Sequence, residues 1–329
     1  LIEDDSATLP VVENKPAAED TAILRLRDGQ LRRMSPRMVD KYLAQPGAKD
    51  DVVETIQTAT DETLYFFTNR GNCFMLDVSK IPETMKLRDR GSLLTGLIAG
   101  LADHEHAVAM VCVKTEEMAK KGDFLFITKN GQVKRTTAAE YGIRRARFAA
   151  INLKDEDELV GMVQVDPDDK DDIVLITQTG MALRFKLDTV SCTGRATAGV
   201  RGIDVAKNDA VRWFEIPKAG TMLFVVSDRG FGKRMLCDDI ERQGRAGKGQ
   251  KLLPMNKSGE TGQMLAACLN VTEAKAVRVE QKHGHVTTLD VSEISVQRRT
   301  AKGELLVNVL LDDVVEYAAL AGDMQEKTE

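Results

Sequence analysis

Aromatic residues are scarce in this chain: one Trp, four Tyr and ten Phe make up 5% of its 329 residues. No stripe of them could stack successive unpaired bases, which argues against a single-strand binder. Cysteine is sparse as well. Cys73, Cys112, Cys192, Cys237 and Cys268 are odd in number, widely separated and without a Cys-x-x-Cys pair. That pattern excludes a disulfide or zinc framework and fits buried thiols in a reducing, cytoplasmic setting. Long apolar runs are missing too. TLYFF (63–67) and DIVLI (172–176) are among the longest, far below the roughly 20 residues that a membrane-spanning helix requires. No charged-then-apolar leader opens the sequence, and the first residue is Leu1, so a piece of a longer chain is expected.

Reactive constellations are also lacking. His104 and His106, and His283 and His285, each offer two nitrogens without an evident third ligand. The acids of DPDDKDD (166–172) lack the glycine and terminal glutamate of a calcium loop and read as a turn. Gly244, Gly247 and Gly249 do not match the spacing of a phosphate-binding loop. Tyr42, Tyr65, Tyr141 and Tyr317 are scattered, and Tyr42 and Tyr141 share one position after a hairpin, as packing residues would. We assign no catalytic residue, no metal and no cofactor.

What the chain does have is divided charge. The net charge of −5 conceals acidic ends around a basic body. Residues 1–20 hold six acids against Lys15, and residues 312–329 hold six against Lys327. Removing both from 46 cations and 51 anions leaves 44 against 39 between them. The sequence therefore divides into an acidic linker (1–20), one large body (21–311) and an acidic tail (312–329). Such ends either solubilise the chain or compete for its cationic surface.

A six-fold repeat organises the body. AILRLRDGQLRRM (22–34), LYFFTNRGNCFML (64–76), FLFITKNGQVKRT (124–136), IVLITQTGMALRF (173–185), LFVVSDRGFGKRM (223–235) and AVRVEQKHGHVTTL (276–289) each run from a β-rich segment through a polar pair to a glycine and a second β-rich segment. This is a hairpin signature, with Gly29, Gly71, Gly131, Gly180, Gly230 and Gly284 supplying positive φ in a tight two-residue turn. The spacing of 42 to 60 residues matches a propeller-like array of small antiparallel sheets, each with room for about four strands. The fold class is all-β, with six blades.

Past each hairpin comes a loop with a glycine or small residue, at Gly47, Gly91, Ala150, Gly199, Gly249 and Gly303, and all but the first carry at least two cations. In a radial array such loops share one rim. Arg88, Arg90, Arg144, Arg145, Arg147, Arg195, Arg201, Arg242, Arg245, Lys248, Lys251, Arg298, Arg299 and Lys302 would line it, and Arg32, Arg33, Lys134, Arg135, Lys233 and Arg234 would add to it from the hairpins. A curved cationic band suits duplex DNA bent around the protein through phosphate contacts, with glycines allowing close backbone approach. The alternative is a protein-interaction propeller, whose rim should mix aromatic and Arg anchors.

The six-fold pattern, the hairpins ITKNGQVKRT and VVSDRGFGKRM, and the segments TAGVRGI (197–203) and VSEISVQRRTAKG (291–303) resemble the C-terminal domain of the A subunit of bacterial type IIA topoisomerases, DNA gyrase and topoisomerase IV. The resemblance implies a six-bladed β-pinwheel that exchanges strands between neighbouring blades. It further implies a DNA-wrapping role beside a catalytic core whose active-site tyrosine precedes this domain, partnership with an ATPase B subunit, and a nucleoid-associated location. In gyrase a Gln-Arg-Arg-Gly-Gly-Lys-Gly heptad sits in the first-blade loop. Here that loop reads AQPGAKDD, and the nearest copy, Gln243 to Gly249, is in the fifth blade. The departure favours a topoisomerase IV-like domain, with a gyrase as the second reading.

Overall fold

The computed structural model describes residues 17–321 apart from 46, 47, 155, 257 and 311. Strands dominate. Six hairpins form where the repeats place them: Asp20–Leu26 with Gln30–Met34, Thr63–Thr68 with Asn72–Asp77, Asp123–Thr128 with Gln132–Thr137, Asp172–Thr177 with Met181–Lys186, Met222–Ser227 with Phe231–Leu236, and Ala276–Gln281 with Val286–Asp290. All six turn glycines have φ between 75° and 90°. The turns are longer than expected. In the first five hairpins three residues separate the strands, and the glycine N–H donates to the carbonyl three residues earlier, as Gly71 does to Thr68 at 2.9 Å. A turn that ends in a left-handed glycine matches the twist of the strands it joins.

Five of the six hairpins are extended on both sides. A later strand of the same repeat pairs with the first hairpin strand, and a short strand from the next repeat's loop pairs with the second. Thus Ser92–Leu93, Arg147–Ala149, Val200–Arg201, Gln250–Lys251 and Glu304–Leu305 each complete the sheet of the preceding blade. Among the described residues five sheets have four antiparallel strands by this exchange, and the sixth has three. The missing strand would come from the first-blade loop. That loop instead forms the helices Pro36–Leu43 and Ala48–Asp51, with Tyr42 and Val39 buried against the first hairpin. The loop glycine anticipated there, Gly47, lies outside the described residues.

Apolar side chains of adjacent sheets interlock into shared cores. Ile23 and Leu31 meet Leu64 and Phe66 between blades one and two, and Val174 and Ile176 meet Leu223 and Val225 between blades four and five. Blades two and three share the most aromatic core, where Phe67 stands edge-on to Phe124, Phe126 and Tyr141 at 5.5–5.6 Å. Among the described residues no apolar cluster joins the sixth blade to the first. There the Arg27 guanidinium takes both oxygens of Glu280 at 2.7 and 2.6 Å and lies 3.9 Å from the Tyr317 ring centre. Four cysteines are buried as expected, but Cys192 is exposed. The acidic tail expected from residue 312 begins too early, because Val315–Ala321 is the third strand of the last sheet. Residues 1–16 and 322–329, which hold most of the terminal acids, lie outside the described residues.

Candidate nucleic-acid interface

The exchanged strands fix where each cationic loop lies. Pairing of Ala182 with Gln250 and of Val133 with Val200 seats Gly249 opposite Leu183 and Gly199 opposite Lys134. A Cβ on Gly199, at φ 86°, would lie 2.6 Å from the Val133 carbonyl oxygen. Loop glycines such as Gly199 and Gly249 are therefore needed for the loop to lie flat on the neighbouring blade. In the third-blade loop the register gives this place to Arg147, opposite Phe74, and not to Ala150. Ala150 is buried beyond the strand.

The loops of blades two to six lie side by side. Arg195 Nη1 donates to Ala149 O at 2.7 Å, Arg245 Nη1 to Arg201 O at 2.6 Å and Arg299 Nη1 to Lys251 O at 2.9 Å. Each arginine thus reaches from its own loop to the exchanged strand of the loop before it. Backbone bonds join the same loops, from Ala246 N to Gly202 O at 2.7 Å and from Asn152 N to Thr197 O at 3.1 Å. Arg147 Nη1 reaches Gly100 O at 3.2 Å, which links the third blade to the second. The first-blade loop stays outside this chain of contacts, because its helices take the place of a rim strand.

The twenty cations expected at the interface fall into three groups. Arg88, Arg90, Arg144, Arg145, Arg147, Arg201, Arg242, Lys248, Lys251, Arg298 and Lys302 are exposed on the loops. Arg32, Arg33, Arg195, Arg234, Arg245 and Arg299 are half-buried, each bound through its guanidinium to a backbone carbonyl. The remaining three correct the expectation. Lys134, Arg135 and Lys233 are at most 7% exposed and cannot reach a phosphate. Arg135 Nε is bound to Asp123 at 2.7 Å within its own hairpin, and the two lysines point beneath neighbouring loops. Adjacent strand positions point to opposite faces, but residues 133–136 are buried on both, so alternation in the sequence does not tell these cations from exposed ones.

Acidic residues not anticipated from the sequence hold the frame. Asp157 and Asp209 accept from the hairpin-turn amides of Asn130 and Thr179 at 2.9 and 3.0 Å, and Asp313 from that of His283 at 3.2 Å. Glu105 accepts from Thr68 and Asn72 at 2.6 and 2.7 Å. Burial alone would raise this carboxyl, but the two hydrogen bonds hold it below its ordinary value. An acid some thirty residues beyond four of the turn glycines was the available signal. Asp172 is 3% exposed as a side chain and is gripped by Arg184 at 2.7 Å and Arg242 at 2.9 Å, which anchors the start of the fifth-blade loop.

Known proteins share both the blades and the sequence. The chain matches the model of the DNA gyrase C-terminal domain, beta-propeller, over residues 62–95, 122–166, 171–218, 221–261 and 288–320. The A subunit of DNA gyrase from Deinococcus deserti is 33% identical over 92% of this chain and 38% of its own length. That of Helicobacter pylori strain J99 is 32% identical over 79% of this chain and 31% of its own length. The chain thus spans little more than a third of such relatives. A crystal structure of the C-terminal domain of DNA topoisomerase IV superposes with a TM-score of 0.81 at 24% identity, covering 93% of this chain and 94% of that one. The DNA gyrase A C-terminal domain superposes with a TM-score of 0.63 at 20% identity, covering 91% and 99%. With the family model matching most of the blades and the fold shared, this chain belongs to the family of DNA gyrase C-terminal β-propeller domains.

Proposed function

We propose that the domain binds duplex DNA along the rim loops of blades two to six and bends it there, steering it to the catalytic core of a type IIA topoisomerase. The observation that carries this reading is the run of exposed cations across five adjoining loops. Closely spaced positive charge on a curved edge neutralises phosphates and releases counterions without reading bases. A protein-docking rim would present aromatic anchors. Among the described residues the one aromatic with an exposed ring is Tyr317, at 36%, and it lies under Arg27. The exchanged strands expose Leu93, Val200 and Leu305 as single apolar side chains, none of them aromatic.

In this reading the parent protein is an ATP-dependent type IIA topoisomerase, its catalytic tyrosine lies in another part of the same polypeptide, and its partner is an ATPase B subunit. The domain itself uses no cofactor and works in the cytoplasm at the nucleoid. The helical, heptad-free first-blade loop supports a topoisomerase IV-like role. The relatives, which are named for DNA gyrase, support a gyrase as the second reading.

Mobility shifts with linear duplexes of increasing length test the proposal. If about six phosphates are neutralised, log affinity falls with log salt at a slope of roughly −5 to −6. A flat salt response, or no binding at low salt, overturns it in favour of a protein-interaction propeller. Nicked circles resealed in the protein's presence separate the two enzymes, since a linking-number change supports gyrase-like wrapping and its absence the topoisomerase IV-like role. The acidic end is to be tested by removing residues 322–329 only, because a cut at 312 would remove a strand. Unchanged or tighter binding is expected if that end competes with DNA.

A further inference from the structure

In the first five blades the strand position three residues past the turn glycine lies directly beneath the next blade's loop. In the third and fifth blades that position is a lysine. Lys134 is 1% exposed and Lys233 0%. Lys134 Nζ donates to Arg195 O at 2.6 Å and Ala150 O at 2.9 Å, with the Tyr141 hydroxyl 3.5 Å away. Lys233 Nζ donates to Ala301 O, Arg299 O and Arg298 O at 2.6, 2.7 and 2.9 Å. No carboxylate among the described residues forms an ion pair with either ammonium. Each charge is buried among neutral carbonyls, all three donor sites of Lys233 being filled by one turn of backbone. The blade itself does not demand a cation there, since the same position is Phe74 in the second blade and Leu183 in the fourth, both buried.

An ammonium is costly to bury, and these two are held by backbone carbonyls that would lose this donor if the lysine were replaced by an apolar side chain. Lys233 draws the carbonyls of Arg298, Arg299 and Ala301 inward, Lys134 holds the one carbonyl of Arg195 in the fourth-blade loop, and the loops concerned carry Arg195, Arg298, Arg299 and Lys302. We propose that Lys134 and Lys233 are positioning residues that hold the Arg195 carbonyl of the fourth-blade loop and the carbonyl turn of the sixth-blade loop inward and so keep those loops' cations in the array that meets DNA. The inference rests on the duplex-binding reading above.

The charges around each lysine give it a pH signature. Lys134 faces Arg195, Glu140, Cys192, the Tyr141 hydroxyl and, at 5.3 Å, the Phe126 ring, and Lys233 faces Arg299 and Asp239. Burial, aided by Arg195 and Arg299, lowers each ammonium from 10.5 to about 8. The sign for stability follows. From about pH 8 to 10.5 the unfolded chain holds more protons than the folded one, so the fold gains stability as pH rises. The sign for DNA is opposite, because phosphates beside the loops favour the ammonium and a neutral amine supplies one donor fewer to the carbonyls.

The test combines loop exchange with DNA affinity, using Lys134→Met, Lys233→Met and the double variant. Hydrogen exchange is expected to quicken about tenfold or more over residues 296–303 in Lys233→Met alone and over 193–201 in Lys134→Met alone, as a local opening would produce. Duplex affinity is expected to fall several-fold in each. Wild-type affinity is expected to drop about three- to tenfold between about pH 7 and pH 9.5, a drop that the double variant, which shares Cys192 and the chain terminus, lacks. Unchanged loop exchange overturns the proposal. So does altered exchange with the affinity and its pH profile unmoved, which would leave the lysines a local packing role. A wild-type chain that binds no duplex while its loops still respond overturns the duplex reading and the coupling with it, and leaves the carbonyl capture standing. If a Met variant fails to fold, Lys134→Arg with Lys233→Arg takes its place, since arginine keeps its charge over this range, and a pH-dependent drop that persists in it overturns the proposal.

Discussion

The seam between blades two and three and the seam between blades six and one solve the same packing problem with different chemistry. The first buries Phe67, Phe124, Phe126 and Tyr141 in one cluster, and an exchanged strand from the third-blade loop crosses it. The second has neither a shared apolar cluster among the described residues nor an exchanged strand, and is held by Arg27 against Glu280 and Tyr317. Burial of a large aromatic contributes several times more than a half-exposed ion pair, whose Coulomb gain is offset by hydration and screened by salt. The ring therefore has one strong side and one weak join, and the cationic loops are laid over the strong side.

Breaking the apolar seam should cost most. Phe67→Ala removes the ring that touches three others and is expected to lower stability by about 3–5 kcal/mol in urea unfolding. A loss below about 1 kcal/mol would show that the cluster collapses around the gap. Tyr141→Phe keeps the ring but deletes the hydroxyl donated to Ala150 O at 2.9 Å, leaving that carbonyl to Lys134. About 1 kcal/mol is expected in the same assay. Arg27→Ala attacks the weak seam and should cost at most about 1 kcal/mol. Its effect should instead be local, with faster exchange over 276–281 and 315–321 and a larger radius in small-angle scattering. Exchanging the charges, Arg27→Glu with Glu280→Arg, should restore protection if the pair is what joins the ends. Smallest of all, raising salt to about 1 M should quicken exchange at the weak seam and leave 63–77 and 123–137 unmoved. Equal responses at the two seams would erase the distinction between them.

The blades were legible because their signal is local. A β-rich run, a glycine that tolerates positive φ and a second β-rich run lie within about 14 residues, and all six appeared in place. The strand exchange could not be read from spacing, because a two-residue strand such as Val200–Arg201 has no periodicity of its own and finds its partner some seventy residues back. The same limit blurred the interface. The sequence marked where cations concentrate but not which way they point. Lys134 and Lys233 look like their exposed neighbours until the register places them under a loop, and Arg195, Arg245 and Arg299 look wholly available until each is seen to spend one nitrogen on the preceding loop. At the C-terminal end, charge counting joined Asp312 and Asp313 to the tail, although Asp313 is 1% exposed and caps a turn.

Exchange of strands from each repeat into the one before also bears on how the chain emerges from the ribosome. The first sheet cannot be finished until Ser92–Leu93 has been made, the second until Arg147–Ala149, and so on to Glu304–Leu305. At every length the growing chain carries one sheet with unfilled backbone donors and acceptors along an edge, and each newly made repeat closes the edge left by its predecessor. The last sheet gains no such strand among the described residues, where the first-blade loop is helical, so Val286–Asp290 keeps there the unfinished edge that each nascent intermediate carried.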